Sequence, residues 1–300
     1  MGYQRDLKGY GAAPPNAPWP GDARIAVNFV INYEEGGENC ILHGDEASEA
    51  FLSEIVGAQA FQGVRHLSME SIYEYGARAG VWRLIRTFDD FQIKPTVFCV
   101  GMALERNPEP ILAMRDRGYE IASHGYRWID YQFIDEETER RHIRQAIEAH
   151  LAILGERPKG FYQGRTSPQS RRLCIEAGFE YDSDSYADDL PYWDTSFEPP
   201  HLVVPYTLDT NDMRFATPQG FNSGAQFLGY LTDAFDELYR EGSASGSAKM
   251  LSIGLHCRLA GRPGRSAALR RFLEYITQKD GVWIATRGAI AEHWRTRFPA

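Results

Sequence analysis

Short apolar segments alternate with segments of helical period along most of the 300-residue chain. A parallel strand buried on both faces is a continuous apolar run, whereas a helix that covers a sheet repeats its apolar positions every three or four residues. The apolar pattern predicts strands at residues 25–33, 96–100, 119–123, 159–163, 202–208, 250–255 and 282–285. The helical pattern predicts helices near residues 80–88, 108–117, 136–154, 226–240, 266–277 and 287–295, and another that opens at Pro168.

Repeated strand-then-helix units indicate a parallel sheet, and their number favours closure into a barrel. We therefore predict an α/β fold in which seven or eight mainly parallel strands form one domain over residues 24–300. Residues 1–23 contain four prolines and Trp19, and they lack a basic start and an apolar run. They are expected to form a Pro-rich arm rather than a signal peptide or a membrane anchor.

A segment at about residues 37–79 breaks the alternation after the first strand. Loops grow where a scaffold tolerates them, and an insertion that leaves the first strand end would lie over the mouth of a barrel. It could then roof a pocket for a small substrate. An insertion that makes subunit contacts would explain the same segment equally well, and both can hold.

Polar side chains follow the predicted strands at the ends from which parallel barrels build their active sites. Glu34 and Glu35 are the first candidates for chemistry, because adjacent carboxylates at the exit of a buried strand repel each other and lose hydration. Asp209 stands near Asn211 and Asp212, a composition more typical of a turn. The polar residues at the strand ends are Glu34, His124, Arg165, Asp209 and His256.

Charge and cysteine content narrow the range of functions. The chain carries 32 Lys plus Arg against 41 Asp plus Glu, a net charge of −9. This balance argues against nucleic-acid or membrane binding and favours a small or neutral substrate. The four cysteines are scattered and include no C-x-x-C pair. They indicate buried free thiols of a reducing compartment, so we expect a cytoplasmic protein.

Three motifs resemble those of the polysaccharide deacetylase family. Tyr33-Glu34-Glu35-Gly36 resembles its aromatic-Asp-Asp-Gly motif, His124 the first histidine of its His-x-x-x-His motif, and the run ending at His256 its closing histidine strand. The resemblance covers most of the chain from about residue 24 and implies a distorted barrel that hydrolyses amide bonds. In that family the first carboxylate is the base, the second holds a metal with both motif histidines, and the late histidine is the acid.

The chain departs from this pattern at the metal ligands. Both Asp positions are Glu, and Trp128 stands four residues after His124, where the second histidine is expected. An indole cannot ligate a metal because its N–H is only a donor. Glu35 and His124 alone are fewer than the three protein ligands of a catalytic zinc. We therefore expect neither a metal nor another cofactor.

Longer runs closely resemble a group derived from the deacetylases, the cofactor-independent allantoinases of bacterial urate catabolism. These runs are residues 32–39, 70–83, 164–168 and 255–265. The resemblance implies that the chain opens the hydantoin ring of allantoin to give allantoate, in the cytoplasm. It also implies a homo-oligomer, expected to be a tetramer.

Hydrolysis of a cyclic amide needs activated water, stabilisation of the carbonyl oxygen and a proton for the leaving nitrogen. We predict that Glu34 is the general base, with its pKa raised by Glu35 and partial burial, and that His256 is the acid. His124 would orient water or polarise the carbonyl, and Arg165 would donate to the carbonyl oxygen or to a ureido group. The predicted set is Glu34, Glu35, His124 and His256 for catalysis and Tyr33, Trp128 and Arg165 for substrate binding.

Structural explanations remain open for several of these residues. A histidine at a strand end is as consistent with a satisfied structural group as with a catalyst. Arg165 could cap a loop or pair with Asp182 or Asp184. The arginines at positions 258, 262 and 265 fit an anion site and subunit contacts equally well.

Other functions remain open too. A metal-dependent N-deacetylase acting on an acetylated sugar or peptidoglycan fragment is possible if Glu35 and His124 recruit a third ligand, such as Glu38 or Asp130. A second alternative is hydrolysis of another cyclic imide or ureide. A third is a barrel without catalytic activity that serves as a binding protein.

Overall fold

The computed structural model describes residues 5–16, 18–244, 247 and 249–300. The strands are β1 (Ile25–Tyr33), β2 (Thr96–Cys99), β3 (Glu120–Ser123), β4 (Gly160–Phe161), β5 (Tyr181–Asp182), β6 (Tyr192–Asp194), β7 (His201–Val203), β8 (Lys249–His256) and β9 (Val282–Ile284). They form one sheet in the order β6-β7-β5-β4-β3-β2-β1-β8, and β9 pairs with the first part of β1.

Neighbouring strands run parallel except β6, which pairs antiparallel with β7. In the described part of the chain, β7 and β8 do not pair with each other. Asn211, in the segment that follows β7, makes one isolated parallel bridge to Gly254 of β8. The sheet is therefore a curled half-barrel and not a closed barrel. The predicted α/β fold with mainly parallel strands is confirmed. The sequence pattern missed β5 and β6 because strands of two or three residues are too short to show a hydrophobic period.

All nine residues of β1 are buried, and their side chains alternate between two faces. The odd-numbered residues, including Phe29 and Tyr33, pack in the large core cluster beneath the helices. The even-numbered side chains belong to other clusters or are polar, such as Asn28 and Asn32. The same alternation continues to Glu34 and places it on the face shared with Asn32.

Helices cover the outer face of this sheet. The helix α5 begins after Asp135, whose side chain accepts from the Thr138 N–H, and it ends at Gly155, which has a left-handed φ of 79°. No helix in the described ranges combines the length and apolar content needed to span a bilayer. The helices are α1 (Leu67–Tyr75), α2 (Val81–Asp90), α3 (Gly101–Arg106), α4 (Glu109–Asp116), α5 (Glu136–Leu154), α6 (Ser170–Glu176), α7 (Gly224–Ala244), α8 (Pro263–Ile276) and α9 (Arg287–Arg297).

The segment predicted as an insertion has two parts. Residues 37–66 contain little regular structure, whereas α1 occupies most of the rest and continues through the π-helical turn Gly76–Gly80 into α2. This turn packs very closely on the loop after β8. A Cβ at Gly80 would lie 1.9 Å from the Cys257 carbonyl oxygen, and one at Gly76 would lie 2.3 Å from Glu35 Oε1. Glycine is therefore required at both positions.

The Pro-rich arm packs against the end of the sheet where the strands begin. Trp19 is 1% exposed, and its ring lies 5.6 Å from Trp283 and 5.8 Å from Trp294. Its indole N–H donates to the carbonyl oxygen of Lys249, the first residue of β8. Trp19 thus lies at the end of the sheet opposite the strand ends that carry the predicted site.

A fully buried arginine ties the strands together inside the half-barrel. Arg287, at the start of α9, donates to Ser183 Oγ, Asn28 Oδ1 and Ser252 Oγ, and to the carbonyl oxygens of Val204 and Pro205. These groups come from β1, from β8 and from the residues after β5 and β7. The Arg287 guanidinium therefore provides hydrogen-bond donors to buried acceptors on and next to several strands of the half-barrel.

We predict that Arg287→Leu lowers the free energy of unfolding by about 3 kcal/mol or more, because several buried acceptors lose their donor together. Urea denaturation would measure the change. Arg297→Leu is the matched control, since Arg297 is exposed on the same helix and should change stability by no more than about 0.5 kcal/mol. Equal effects of the two substitutions would contradict the prediction.

Candidate active site

A cavity of about 230 Å³ lies at the carboxyl ends of β1, β3 and β8. It is smaller than the cavities of about 300–1,000 Å³ that hold drug-sized ligands, so it fits a small molecule. Phe51 and Leu52 bring the insertion to its wall, as the sequence analysis expected of a roof. The lining residues are Asn32, Glu34, Phe51, Leu52, His124, Trp128, Tyr162, Gly164, Arg165, Tyr186, Tyr206, Leu208, Asn211, Met213 and His256.

Glu34 lies at the centre of the charged groups in this cavity. Its Oε1 is 3.3 Å from His124 Nε2 and 3.4 Å from His256 Nε2. Its Oε2 is 2.8 Å from a terminal nitrogen of Arg258. The structure therefore brings together Glu34, His124 and His256, which are three of the four predicted catalytic residues.

The orientation of His256 is fixed by Asp212. The Nδ1 atom of His256 lies 2.6 Å from Asp212 Oδ1, and the backbone N–H of His256 donates to Asp212 Oδ2 at 2.7 Å. A third donor, the Ala260 N–H, completes the shell of this carboxylate at 2.8 Å. Because a carboxylate accepts the Nδ1 proton, Nε2 is the nitrogen that faces Glu34.

The pKa values of this pair move in opposite directions. Burial alone would lower the pKa of His256, but the Glu34 and Asp212 carboxylates outweigh it and raise that pKa to about 9. Burial alone would raise the pKa of Glu34, but His256 and Arg258 hold it well below its usual range. The prediction of a raised Glu34 pKa was therefore wrong. Opposite charges near Glu34 decide the direction, and they come from residues distant in sequence.

Glu35 lies beside the cavity rather than in its wall. Its Oε1 is 3.4 Å from a terminal nitrogen of Arg258 and accepts from the Arg258 N–H at 3.2 Å. Burial raises the pKa of Glu35, Arg258 opposes that shift, and Glu34 adds to it. Glu35 therefore acts on the cavity through Arg258 and Glu34.

The Arg258 guanidinium is fully buried between the two carboxylates. Its Nε donates to the Leu52 carbonyl oxygen at 2.8 Å, and its guanidinium carbon lies 4.2 Å from the centre of the Tyr73 ring. The sequence analysis considered Arg258 only as part of an anion site or a subunit contact. Neither interpretation identified its pairing with Glu34 and Glu35, because nothing local in the sequence links residues that far apart.

His124 contacts Glu34 through one nitrogen and the backbone through the other. Its Nδ1 lies 3.0 Å from the Tyr162 carbonyl oxygen, which can only accept, so Nδ1 carries a proton. Nε2 is then the atom directed at Glu34 Oε1. His124 is thus held in one orientation at the cavity wall.

Arg165 and Trp128 form an aromatic and cationic wall. The Arg165 guanidinium carbon lies 4.1 Å from the centre of the Trp128 ring and 4.8 Å from that of Phe51. Its ion pair is with Glu49 of the insertion at 3.8 Å, not with Asp182 or Asp184. The alternative of an Asp182 or Asp184 pair was wrong, because stacking on the insertion directs the side chain toward Glu49.

Tyr33 is not brought to the cavity. Its side chain is fully buried in the core beneath the helices, and its hydroxyl donates to the Asn107 carbonyl oxygen at 3.0 Å. The alternation of side chains along β1 explains this, since Tyr33 and Glu34 point to opposite faces. Asp209 accepts from the Tyr230 hydroxyl and also lies outside the cavity wall.

The sequence analysis did not predict that Asp212 contacts His256. Asp212 was grouped with Asp209 and Asn211 as turn chemistry, and Asn211 does cap the short helical turn that follows. The signal that could have separated them is burial, because Asp212 is fully buried whereas Asp209 is not. Burial depends on packing against β8, which local composition does not show.

The residues present do not fit the metal that the family pattern implies. Glu35 pairs with a guanidinium, and Trp128 offers no ligand atom. The third ligands considered, Glu38 and Asp130, are engaged by the Gly36 N–H at 2.6 Å and the Gln132 N–H at 2.9 Å. Within the described residues no cluster of three His, Cys, Asp or Glu side chains could hold a metal ion.

A parallel half-barrel with a carboxylate and two histidines at its strand ends defines a hydrolase of the deacetylase class. The polysaccharide deacetylase family model matches residues 67–181. A protein from Schizosaccharomyces pombe that carries the polysaccharide deacetylase name is 42% identical to this chain, and the match covers 98% of both chains. The chain therefore belongs to the polysaccharide deacetylase family.

Two solved structures match almost the whole chain. One, from Pseudomonas aeruginosa PAO1, is named for polysaccharide deacetylase. It is 62% identical with a TM-score of 0.97 and covers 99% of this chain and 100% of its own. The other is the PuuE allantoinase, which is 58% identical with a TM-score of 0.97 over 100% of both chains.

We predict that the His256 ring titrates with a midpoint near pH 9, because Glu34 and Asp212 stabilise its charged form. NMR of the ring would measure this midpoint, and Asp212→Asn should lower it. The associated stabilisation of the fold should be complete below the unfolded pKa of about 6.5 and lost as pH rises through about 9.

His150 is the internal control for this titration. It is buried away from any carboxylate partner in the described hydrogen bonds, and burial lowers its pKa to about 4. Its ring should therefore stay neutral across the range in which His256 loses its proton. A His256 midpoint at or below about 6.5 would contradict the role given to the two carboxylates.

Proposed function

We propose that this chain hydrolyses the hydantoin ring of allantoin to allantoate, without a metal ion. The observation that carries the proposal is the contact series from Asp212 through His256 to Glu34 in a cavity of about 230 Å³. This series supports the proposal because a histidine that can give a proton lies next to a carboxylate that can take one. The 58% identity with the PuuE allantoinase over the full length of both chains supports the choice of substrate.

The chemistry follows from the two opposed pKa shifts. Glu34 takes a proton from water as the water oxygen attacks the ring carbonyl carbon, and charged His256 gives its Nε2 proton to the leaving nitrogen as the C–N bond breaks. Loss of that proton removes one of the two positive charges that keep Glu34 weakly basic, and Arg258 retains the other. The basicity of Glu34 therefore rises as the acid step proceeds, which couples the two transfers.

Substrate contacts are assigned to the remaining wall residues. Arg165 is held by its stacking on Trp128 and Phe51, so its N–H groups are ordered for a carbonyl oxygen or a ureido group. His124 orients the attacking water or polarises the carbonyl. Ring opening adds one water molecule to allantoin and gives one product, allantoic acid, which releases a proton to solvent as allantoate. The proton that Glu34 took from water then passes to His256 Nε2, 3.4 Å from Glu34 Oε1, so that both side chains return to their starting forms and no further reactant is required.

We extend the proposal to a homotetramer and a cytoplasmic location. The insertion exposes seven large apolar side chains, a pattern that favours subunit contacts. All four cysteines are free and buried, which favours a reducing compartment. The exposed apolar residues are Leu42, Phe51, Ile55, Val56, Phe61, Val64 and Leu67.

We expect the purified, metal-analysed protein to form allantoate from allantoin at a rate that a strong chelator does not change. The measurement is allantoate appearance with and without the chelator. Stoichiometric zinc together with chelator-sensitive release of acetate from an acetylated sugar would instead favour the N-deacetylase alternative. Turnover of neither substrate would favour a binding protein.

We predict that Glu34→Gln lowers kcat on allantoin by about 10²- to 10⁴-fold, because an amide cannot accept the proton from water. Steady-state kinetics would measure the loss, and circular dichroism would verify that the fold is retained. Glu237→Gln is the control, since this carboxylate is exposed on α7 and pairs only with Arg240 in the described contacts. Near-normal activity of Glu34→Gln would refute the base assignment.

A further inference from the structure

Tyr206 is a buried tyrosine in the wall of the cavity, and none of the predicted roles uses it. Its side chain is 1% exposed. The edges of neighbouring rings fix its position, with Phe98 at 5.6 Å and Tyr162 at 5.1 Å between ring centres. Its ring belongs to the same cavity as Glu34 and His256. The position of its hydroxyl is thus set by packing.

Two amide groups donate to the Tyr206 hydroxyl oxygen. Asn32 Nδ2 lies 3.3 Å away and Asn211 Nδ2 lies 3.2 Å away. Backbone partners fix both amide orientations independently. Asn32 Nδ2 also donates to the Leu255 carbonyl oxygen at 3.2 Å, and Asn211 Oδ1 accepts from the Met213 N–H at 2.8 Å. Neither amide can therefore turn to accept from the tyrosine.

The hydroxyl proton of Tyr206 is left without an acceptor. A phenol oxygen offers two acceptor positions and one proton, and the two amides occupy both acceptor positions. No hydrogen bond in the described part of the chain has Tyr206 as its donor. A buried donor without a partner is unfavourable, and it is typical of sites where a ligand completes the set.

A glycine in β8 leaves the space that the Tyr206 hydroxyl and the Asn211 amide occupy. Gly254 lies in the middle of β8, where a glycine weakens a strand. A Cβ there would lie 2.2 Å from the Tyr206 hydroxyl oxygen and 2.2 Å from Asn211 Nδ2. The close approach of the tyrosine and the amide to the strand backbone therefore requires glycine at this position.

We propose that the Tyr206 hydroxyl donates a hydrogen bond to a carbonyl oxygen of the bound cyclic ureide. The inference rests on the proposed function and adds a specificity contact to it. A cyclic ureide presents carbonyl oxygens that must lose water on entering a buried site, and an ordered donor compensates for that loss. Because both acceptor positions of the phenol are filled, it presents only a donor, so it favours carbonyl oxygens over N–H groups at this point.

Tyr206→Phe removes the donor and keeps the ring. We expect KM for allantoin to rise about 10- to 100-fold with kcat changed by less than about threefold, because the contact is made in the ground state and the transition state alike. Gly254→Ala should raise KM in the same direction by displacing the hydroxyl. It supplies a second test if Tyr206→Phe does not fold, as judged by near-ultraviolet circular dichroism.

Tyr181→Phe is the matched control, since it removes a buried tyrosine hydroxyl that donates to Glu120 at 2.7 Å and lies outside the cavity wall. It should leave KM unchanged. An unchanged KM in Tyr206→Phe, or a lower kcat at constant KM, would overturn the inference while the wild-type activity upholds the proposed function. A wild-type protein without activity on allantoin would overturn both.

Discussion

The buried contact of Arg258 with Glu34 and Glu35 is the interaction on which the site depends. Two adjacent carboxylates that are nearly excluded from water would take up a proton unless a cation lay beside them. The guanidinium lies 2.8 Å from Glu34 and 3.4 Å from Glu35. Together with charged His256, which has the larger effect, it lowers the pKa of Glu34 and so favours the ionised form. That ionised carboxylate in turn raises the pKa of His256.

The alternation of side chains along β1 determines which of them lie on the same face as Glu34. Along β1 the side chains of Asn32 and Glu34 share one face, and Tyr33 points to the other. The neighbouring strand β8 is in register, with Asn32 opposite His256, so Glu34, which follows two residues after Asn32, leaves the strand end next to that of His256. Parallel pairing therefore brings the chain segment that carries Glu34 close to His256.

The sequence predicted the elements that have a long hydrophobic period and missed those that depend on distant contacts. Strands β1, β2, β3, β8 and β9 and the helices α2, α4, α5 and α7 to α9 lie close to their predicted positions. Glu34, His124 and His256 were selected as candidates because each directly follows a predicted strand. Asp212 and Arg258 were not assigned to the site, because their roles are created by packing between segments remote in sequence. The direction of the Glu34 pKa shift was wrong for the same reason.

A buried guanidinium and a metal ion can both neutralise carboxylates, but they differ in chemistry. A metal ion is a Lewis acid, so it also lowers the pKa of bound water and polarises a carbonyl directly. A guanidinium is not a Lewis acid and does neither. In the proposed metal-free reaction the nucleophile must therefore come from proton transfer to Glu34, and His256 must protonate the leaving nitrogen. This demand is more easily met for a ring nitrogen delocalised into a ureido group than for an alkyl amine, because the delocalised nitrogen is the better leaving group. The proposed metal-free reaction thus suits a cyclic ureide better than an N-acetyl sugar.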